Sequence, residues 1–155
     1  MTFRVWGTMP TERTLSSARS ESAVLTEQPP QYYTLQPQIL VVDDDPDIRT
    51  VLVDLLESEG YYVTEASTAR EALRYAGTTD FDAVLLDIGL PDADGLIVLS
   101  HLRAMIPALP VVMVTAALVK GQGADSLARG AFSYLPKPFD LDELRFIIRL
   151  AVERS

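Results

Sequence analysis

The sequence predicts an α/β domain built on a doubly wound, five-stranded parallel sheet of order 2-1-3-4-5 with five helices. Three observations lead there. From residue 38 onward, short apolar runs alternate five times with stretches of helical periodicity. The short runs are apolar at consecutive positions, the pattern of strands covered on both faces. The helical stretches carry their own punctuation, a capping side chain in front or a glycine behind.

The elements follow in order. Ile39 to Val42 is the first apolar run. Asp45 then caps a helix with Pro46 at its first position, where the missing N–H costs nothing. Ile48, Val51, Leu52, Leu55 and Leu56 form the helix's inward stripe, and Gly60 closes it. Tyr61 to Glu65 reads as the second strand. Thr68 and Glu71 have the spacing of a capping box, opening a helix with Ala69, Ala72, Leu73 and Ala76 inward and Gly77 at its end. Ala83 to Leu86 is the third strand, and a loop with Pro91 and Gly95 leads into a helix over 95–105. In that helix Leu99, Leu102 and Met105 are expected in the core, and His101, the one histidine, on the surface. Pro110 to Val114 is the fourth strand. Residues 118–129 are expected to be helical, although Gly121 and Gly123 weaken that helix by about 1 kcal/mol each against alanine. Phe132 to Leu135 is a short fifth strand. Asp140 and Glu143 make a second capping box, and Leu141, Leu144, Ile147, Ile148 and Ala151 line the last helix.

Residues 1–37 differ. They are rich in Ser, Thr, Glu, Gln and Pro and hold neither period, so a flexible arm or linker is expected ahead of a domain over 38–155. The apolar cluster Phe3, Val5 and Trp6 stands apart within it. The arm carries three basic and three acidic groups, so the net charge of −9 belongs wholly to residues 38–155. An acidic domain is a poor partner for a phosphate backbone, and direct nucleic-acid binding is not expected. With no cysteine, thiolate chemistry and disulfides are excluded. No run of about 18 apolar residues is present, so no membrane span is expected, and a cytoplasmic setting fits.

In an open sheet of this order, ligands gather at the carboxyl ends of strands 1 and 3. Asp43, Asp44 and Asp45 follow strand 1, Asp87 follows strand 3, Thr115 follows strand 4 and Lys137 follows strand 5. Crowded carboxylates repel unless a cation relieves them, and Mg²⁺ favours carboxylates, carbonyls and water. A carboxylate is also a nucleophile toward phosphorus. Phosphoryl transfer needs chiefly positioning and charge neutralisation, which Lys137 and the Thr115 hydroxyl could supply.

Four blocks carry a resemblance: Ile39 to Asp45, Leu85 to Gly95, Val112 to Ala116 and Tyr134 to Phe139. In this order they resemble the receiver domain of two-component response regulators, a flavodoxin-like fold, over residues 38–154. The resemblance implies a switch that is not itself an enzyme beyond its own phosphorylation and dephosphorylation. It implies Asp87 as phosphoacceptor. It implies Mg²⁺ held by Asp43, Asp44, Asp87 and the Gly89 carbonyl. It implies Lys137 paired with the phosphoryl group and a cis peptide between Lys137 and Pro138. Thr115 would turn toward the phosphoryl group and Tyr134 would swing inward, remodelling the face of helix 4, strand 5 and helix 5. The implied partners are a sensor histidine kinase or phosphotransfer protein, a second copy through that face, and an output partner or effector domain. Gly89 and Ala117 lie near the phosphoryl position without polar side chains, so slow intrinsic dephosphorylation is expected.

Two alternatives stand beside this. An aspartyl-phosphate phosphohydrolase would want a second aspartate two residues after the nucleophile, where Gly89 stands. A receiver-like module that binds a partner without phosphorylation would not need the acidic, threonine and lysine set.

Overall fold

Hydrophobic alternation sets which face of the sheet each strand residue serves. The computed structural model describes residues 35–116 and 121–155. Five strands, β1 (Gln38–Val42), β2 (Tyr62–Ala66), β3 (Ala83–Asp87), β4 (Val111–Ala116) and β5 (Ser133–Lys137), pair in parallel in the order β2-β1-β3-β4-β5. The helices α1 (Pro46–Ser58), α2 (Ala69–Ala76), α3 (Gly95–Met105), α4 (Gln122–Ala128) and α5 (Leu141–Arg154) alternate with them.

Side chains of successive strand residues point to opposite faces. Ile39, Val41, Leu85, Val112, Val114 and Leu135 pack with Leu52, Leu55 and Leu56 of α1 and Leu144, Ile148 and Ala151 of α5. Leu40, Val42, Val84, Leu86, Val111 and Met113 pack with Ala69, Ala72 and Ala76 of α2 and Leu96, Leu99 and Leu102 of α3. The sheet is thus buried between two apolar layers, which is why its strands read as continuous apolar runs.

The expected caps form. Asp45 Oδ1 accepts from the amides of Asp47 and Ile48 at 2.9 and 3.4 Å. Asp140 Oδ1 accepts from those of Asp142 and Glu143 at 2.7 and 3.3 Å. Thr68 Oγ1 accepts from the Glu71 amide at 3.1 Å, while Glu71 Oε1 reaches back to the amide of Ser67, not Thr68, at 2.8 Å. Those bonds to Ser67 hold the Glu71 carboxyl below the usual glutamate range.

Several expectations need correction. Val51, Leu141 and Met105, assigned inward from helical spacing, are exposed at 49%, 39% and 48%. Val51 and Leu141 instead line an apolar groove with Ile48, Ala116, Pro138 and Phe139. The fourth helix runs Gln122–Ala128, ending one residue short of 129, with Gly121 at its start in the left-handed region (φ +86°) and no side-chain cap; positions 118–120 of the expected helix lie outside the described residues. The fourth and fifth strands extend two residues past Val114 and Leu135, so Thr115 lies inside β4 and Lys137 ends β5. Two expectations are met: the Lys137–Pro138 peptide is cis, and His101 is exposed. The expected arm, with its Phe3, Val5 and Trp6 cluster, lies outside the described residues as far as position 34, as does Ala117. Gln36 and Pro37, assigned to that arm, pair with the edge of the domain: Gln36 Nε2 donates to the Gly60 carbonyl at 3.2 Å, and Pro37 O accepts from the Tyr62 amide at 2.9 Å.

Candidate functional site

At the carboxyl edge of the sheet, four of the expected charged side chains, Asp43, Asp44, Asp87 and Lys137, come together. Asp87 is the last residue of β3 and Asp43 directly follows β1, its neighbour in the sheet. Both are buried, whereas Asp44 is exposed. One carboxylate oxygen from each of Asp43, Asp44 and Asp87 lies within 4.8 Å of the others.

Lys137, at the end of β5, reaches across β4 into this cluster. Its Nζ is 3.0 Å from Asp43 Oδ2 and 3.3 Å from Asp87 Oδ2. The remaining oxygens are held by backbone donors: the Asp45 amide on Asp43 Oδ1 at 2.9 Å, and the Gly89 amide on Asp87 Oδ1 at 3.2 Å. Arg49 of α1 donates to the Asp43 carbonyl at 2.7 Å and pairs with Glu65 at 3.2 Å, tying the loop after β1 to β2.

The electrostatics follow from burial and crowding. Burial, then the neighbouring Asp43 carboxylate, push the Asp87 carboxyl above the usual aspartate range, against the opposing pull of Lys137 and the Gly89 amide. Burial disfavours the Lys137 ammonium, but its hydrogen bond to Asp43 and the charge of Asp87 outweigh this and raise its pKa.

Asp87, Ile88, Gly89, Ala116, Gln122 and Lys137 line a cleft of about 300 Å³. Gly89 therefore sits at the cleft as expected. Thr115 is buried at the level of Asp87, but its hydroxyl points to α4 and donates to Gln122 Oε1 at 2.8 Å. Tyr134 of β5 is half exposed, with its ring against α4. The Asp45 side chain turns to the cap of α1, so this residue serves the cluster only through its backbone amide.

Three further residues shape the site and were not singled out for it in the sequence. Gly95 opens α3 where a methyl group would stand 2.5 Å from the Asp87 carbonyl and the Ile88 Cα. Only glycine lets α3 pack this closely against the end of β3. Asp92 accepts from the amides of Ala69 and Arg70 at 2.8 and 3.0 Å, bracing the loop after β3 on the first turn of α2. Gln122 enters the cleft from α4. A helix-capping pattern can reveal a cap within four residues but not one from 23 residues away, and nothing in the spacing of Gln122 marks it.

Three carboxylate oxygens this close suit a small divalent cation: oxygens at Mg²⁺ bond lengths of about 2.0–2.1 Å stand about 3–4 Å apart. Asp43 and Asp87 share a single ammonium, so the buried pair also carries charge that a cation would relieve.

Comparison with known proteins agrees with this fold. The family described as the response regulator receiver domain matches residues 39–149. The chain is 41% identical over 117 residues to the transcriptional regulatory protein KdpE of Mycobacterium tuberculosis, covering 76% of this chain and 51% of that protein. It is 38% identical over 114 residues to the DNA-binding transcriptional regulator NtrC of Proteus hauseri, covering 74% and 24%. It thus spans about half or less of these curated relatives. Among solved structures it is similar to the receiver domain of NtrX from Brucella abortus, with a TM-score of 0.72, 35% identity and coverage of 76% of this chain and 99% of that one. The CheY-like response regulator receiver domain protein from Methanospirillum hungatei superposes with a TM-score of 0.73 at 34% identity, covering 77% and 95%.

Proposed function

Because this chain belongs to the response regulator receiver domain family, we propose that it is a phosphorylation-operated switch of a two-component phosphorelay, with Asp87 as phosphoacceptor. The observation that carries this is the packing of Asp43, Asp44 and Asp87 oxygens within 4.8 Å, with Lys137 on two of the three carboxylates.

The proposed reaction is a displacement at phosphorus. An Asp87 oxygen bonds to the phosphorus as the bond from phosphorus to the donor breaks, and the donor leaves with that electron pair. Burial and Asp43 make the Asp87 oxygen more basic than that of an ordinary aspartate, hence a better nucleophile, while the charge of Lys137 pulls the other way and favours the ionised form. Asp43, Asp44, Asp87 and the Gly89 carbonyl are the proposed Mg²⁺ ligands, and the bound ion would neutralise charge on the phosphoryl oxygens. Lys137 would move from sharing two carboxylates to pairing with the phosphoryl group. Thr115 would exchange its bond to Gln122 for one to a phosphoryl oxygen.

The phosphorylated side chain carries a charge of about −2 at neutral pH in place of the carboxylate's single negative charge, and it extends that charge onto three phosphoryl oxygens. Only the phosphorylated state offers Thr115 and Lys137 this partner, so phosphorylation shifts a two-state equilibrium and not merely a local contact. The readout is the face formed by α4, β5 and α5, with Tyr134 at its edge. On this reading the donor is a sensor histidine kinase or phosphotransfer protein in the cytoplasm. A second copy or an output partner reads the switched face.

The test is labelling with acetyl phosphate and Mg²⁺. Wild-type protein is expected to take up one phosphoryl group per chain, and chelation with EDTA or the substitution Asp87→Asn to abolish uptake. Undiminished labelling of Asp87→Asn would overturn the assignment.

A further inference from the structure

The first two residues of α4 touch both side chains that the proposed switch moves. Thr115 is 4% exposed, and its hydroxyl donates to Gln122 Oε1 at 2.8 Å, with the Ala116 carbonyl a poorly placed second acceptor at 3.4 Å. A hydroxyl has one proton to give. While Gln122 holds it, it is withheld from the Asp87 cleft that Gln122 itself lines. The Gln122 backbone is held in turn, since its main-chain carbonyl accepts from Ser126 Oγ at 2.7 Å.

The next residue is Gly123. A methyl group there would lie 2.4 Å from Cε2 and Cζ of Tyr134. No real Cβ approaches a ring that closely, so the tyrosine occupies a seat that only glycine leaves open. The ring rests on α4 and remains 39% exposed there.

We infer that Gln122 and Gly123 are positioning residues that hold the switch in its unphosphorylated arrangement, Gln122 by occupying the Thr115 hydroxyl and Gly123 by seating the Tyr134 ring. The inference rests on Asp87 being the phosphoacceptor. Thr115 can reach a phosphoryl oxygen only by leaving Gln122, and Tyr134 can turn inward only by leaving Gly123. Activation therefore breaks two ties to the start of α4. That helix is suited to yield: it spans seven residues, has no side-chain cap, and carries a helix-weakening glycine at its second position. Each tie raises the threshold by the worth of one contact, about three- to tenfold in the equilibrium.

The test uses beryllofluoride with Mg²⁺, a phosphoryl mimic, followed through the Asp87 and Lys137 backbone amide resonances, which every variant retains. Gln122→Ala is expected to tighten apparent beryllofluoride affinity about three- to tenfold. In a Thr115→Val background, which keeps the shape but lacks the hydroxyl, the same substitution should change affinity less than twofold. Gly123→Ala should tighten affinity in the wild-type background and have no such effect with Tyr134→Ala. The second cycle removes the general gain in helix propensity, because that gain would persist without the ring. Unchanged or weakened affinity in Gln122→Ala, or an effect that survives in Thr115→Val, overturns the role of Gln122. A Gly123→Ala effect that survives in Tyr134→Ala overturns that of Gly123. Absence of beryllofluoride binding by the wild type would instead bring down the phosphoacceptor assignment and this inference with it.

Discussion

Asp43 and Asp87 share one ammonium. The Asp43 side chain is almost wholly buried and the Asp87 side chain nearly so, while Lys137 keeps about a quarter of its own in solvent. Removing one partner of such a cluster leaves uncompensated charge behind. Lys137→Met is therefore expected to destabilise the metal-free protein by about 3 kcal/mol, with added Mg²⁺ restoring part of the loss; denaturant melts with and without the ion check this. Removing a carboxylate acts the other way. Asp87→Asn should raise the melting temperature in EDTA by about 3 °C, the scale of 1 kcal/mol in a domain of this size. It should also abolish most of the stabilisation by Mg²⁺. The pH dependence has a defined sign. The folded state holds the Asp87 proton to a higher pH than the ordinary value of 3.8. Its contribution is fully present below that value and is lost as pH rises through the raised one. Metal-free stability should fall across that window in the wild type and fall less in Asp87→Asn.

At the scale of elements, what holds the site is the fit of α3 and α2 around the end of β3. A side chain at Gly95 meets backbone, not a movable side chain. Overpacking of this kind costs about 1–3 kcal/mol, and here the strain falls on Asp87. Gly95→Ala should lower the melting temperature by several degrees and slow acetyl phosphate labelling together, whereas Gly77→Ala, with its nearest contacts at 3.6 Å, should leave labelling unchanged. Asp92 braces the same loop on α2, and its two amide bonds hold its carboxyl below the usual range. That contribution is present above 3.8 and is lost as pH falls through the lowered value. In Asp92→Ala the amides of Ala69 and Arg70 should exchange with solvent faster while those of Leu99 and Leu102 stay protected. The opposite element is α4, where Gly123 within the helix and the absence of a side-chain cap leave little intrinsic helicity.

Across the whole molecule, the strand order and the two apolar layers were legible because alternation and caps are local signals that the fold then obeys. The same holds for Asp43, Asp44, Asp87 and Lys137, since position at a strand end in a known strand order suffices to bring them together, whereas the Thr115 hydroxyl turns to Gln122 instead. Three kinds of feature were not legible. Helical spacing placed Val51 and Leu141 inward, but both border a groove that no neighbouring element covers among the described residues. Spacing cannot report where a layer ends. The start of α4 depends on Gly121 taking a left-handed conformation, which the sequence permits but does not require. The Gln122 and Gly123 contacts to Thr115 and Tyr134 join residues whose types alone suggest nothing. These are the contacts that link the acidic cleft to the face carrying Tyr134, so the coupling between site and surface is the claim most exposed to test. Its most direct measurement is a map of backbone amide shifts before and after beryllofluoride and Mg²⁺. The predicted map shows changes at Asp87 and Lys137 that continue through Thr115, residues 121–128 and Tyr134, with α2 and the far ends of the strands unmoved. Changes confined to the loops around Asp43 and Asp87, with α4 and Tyr134 silent, would contradict the switch.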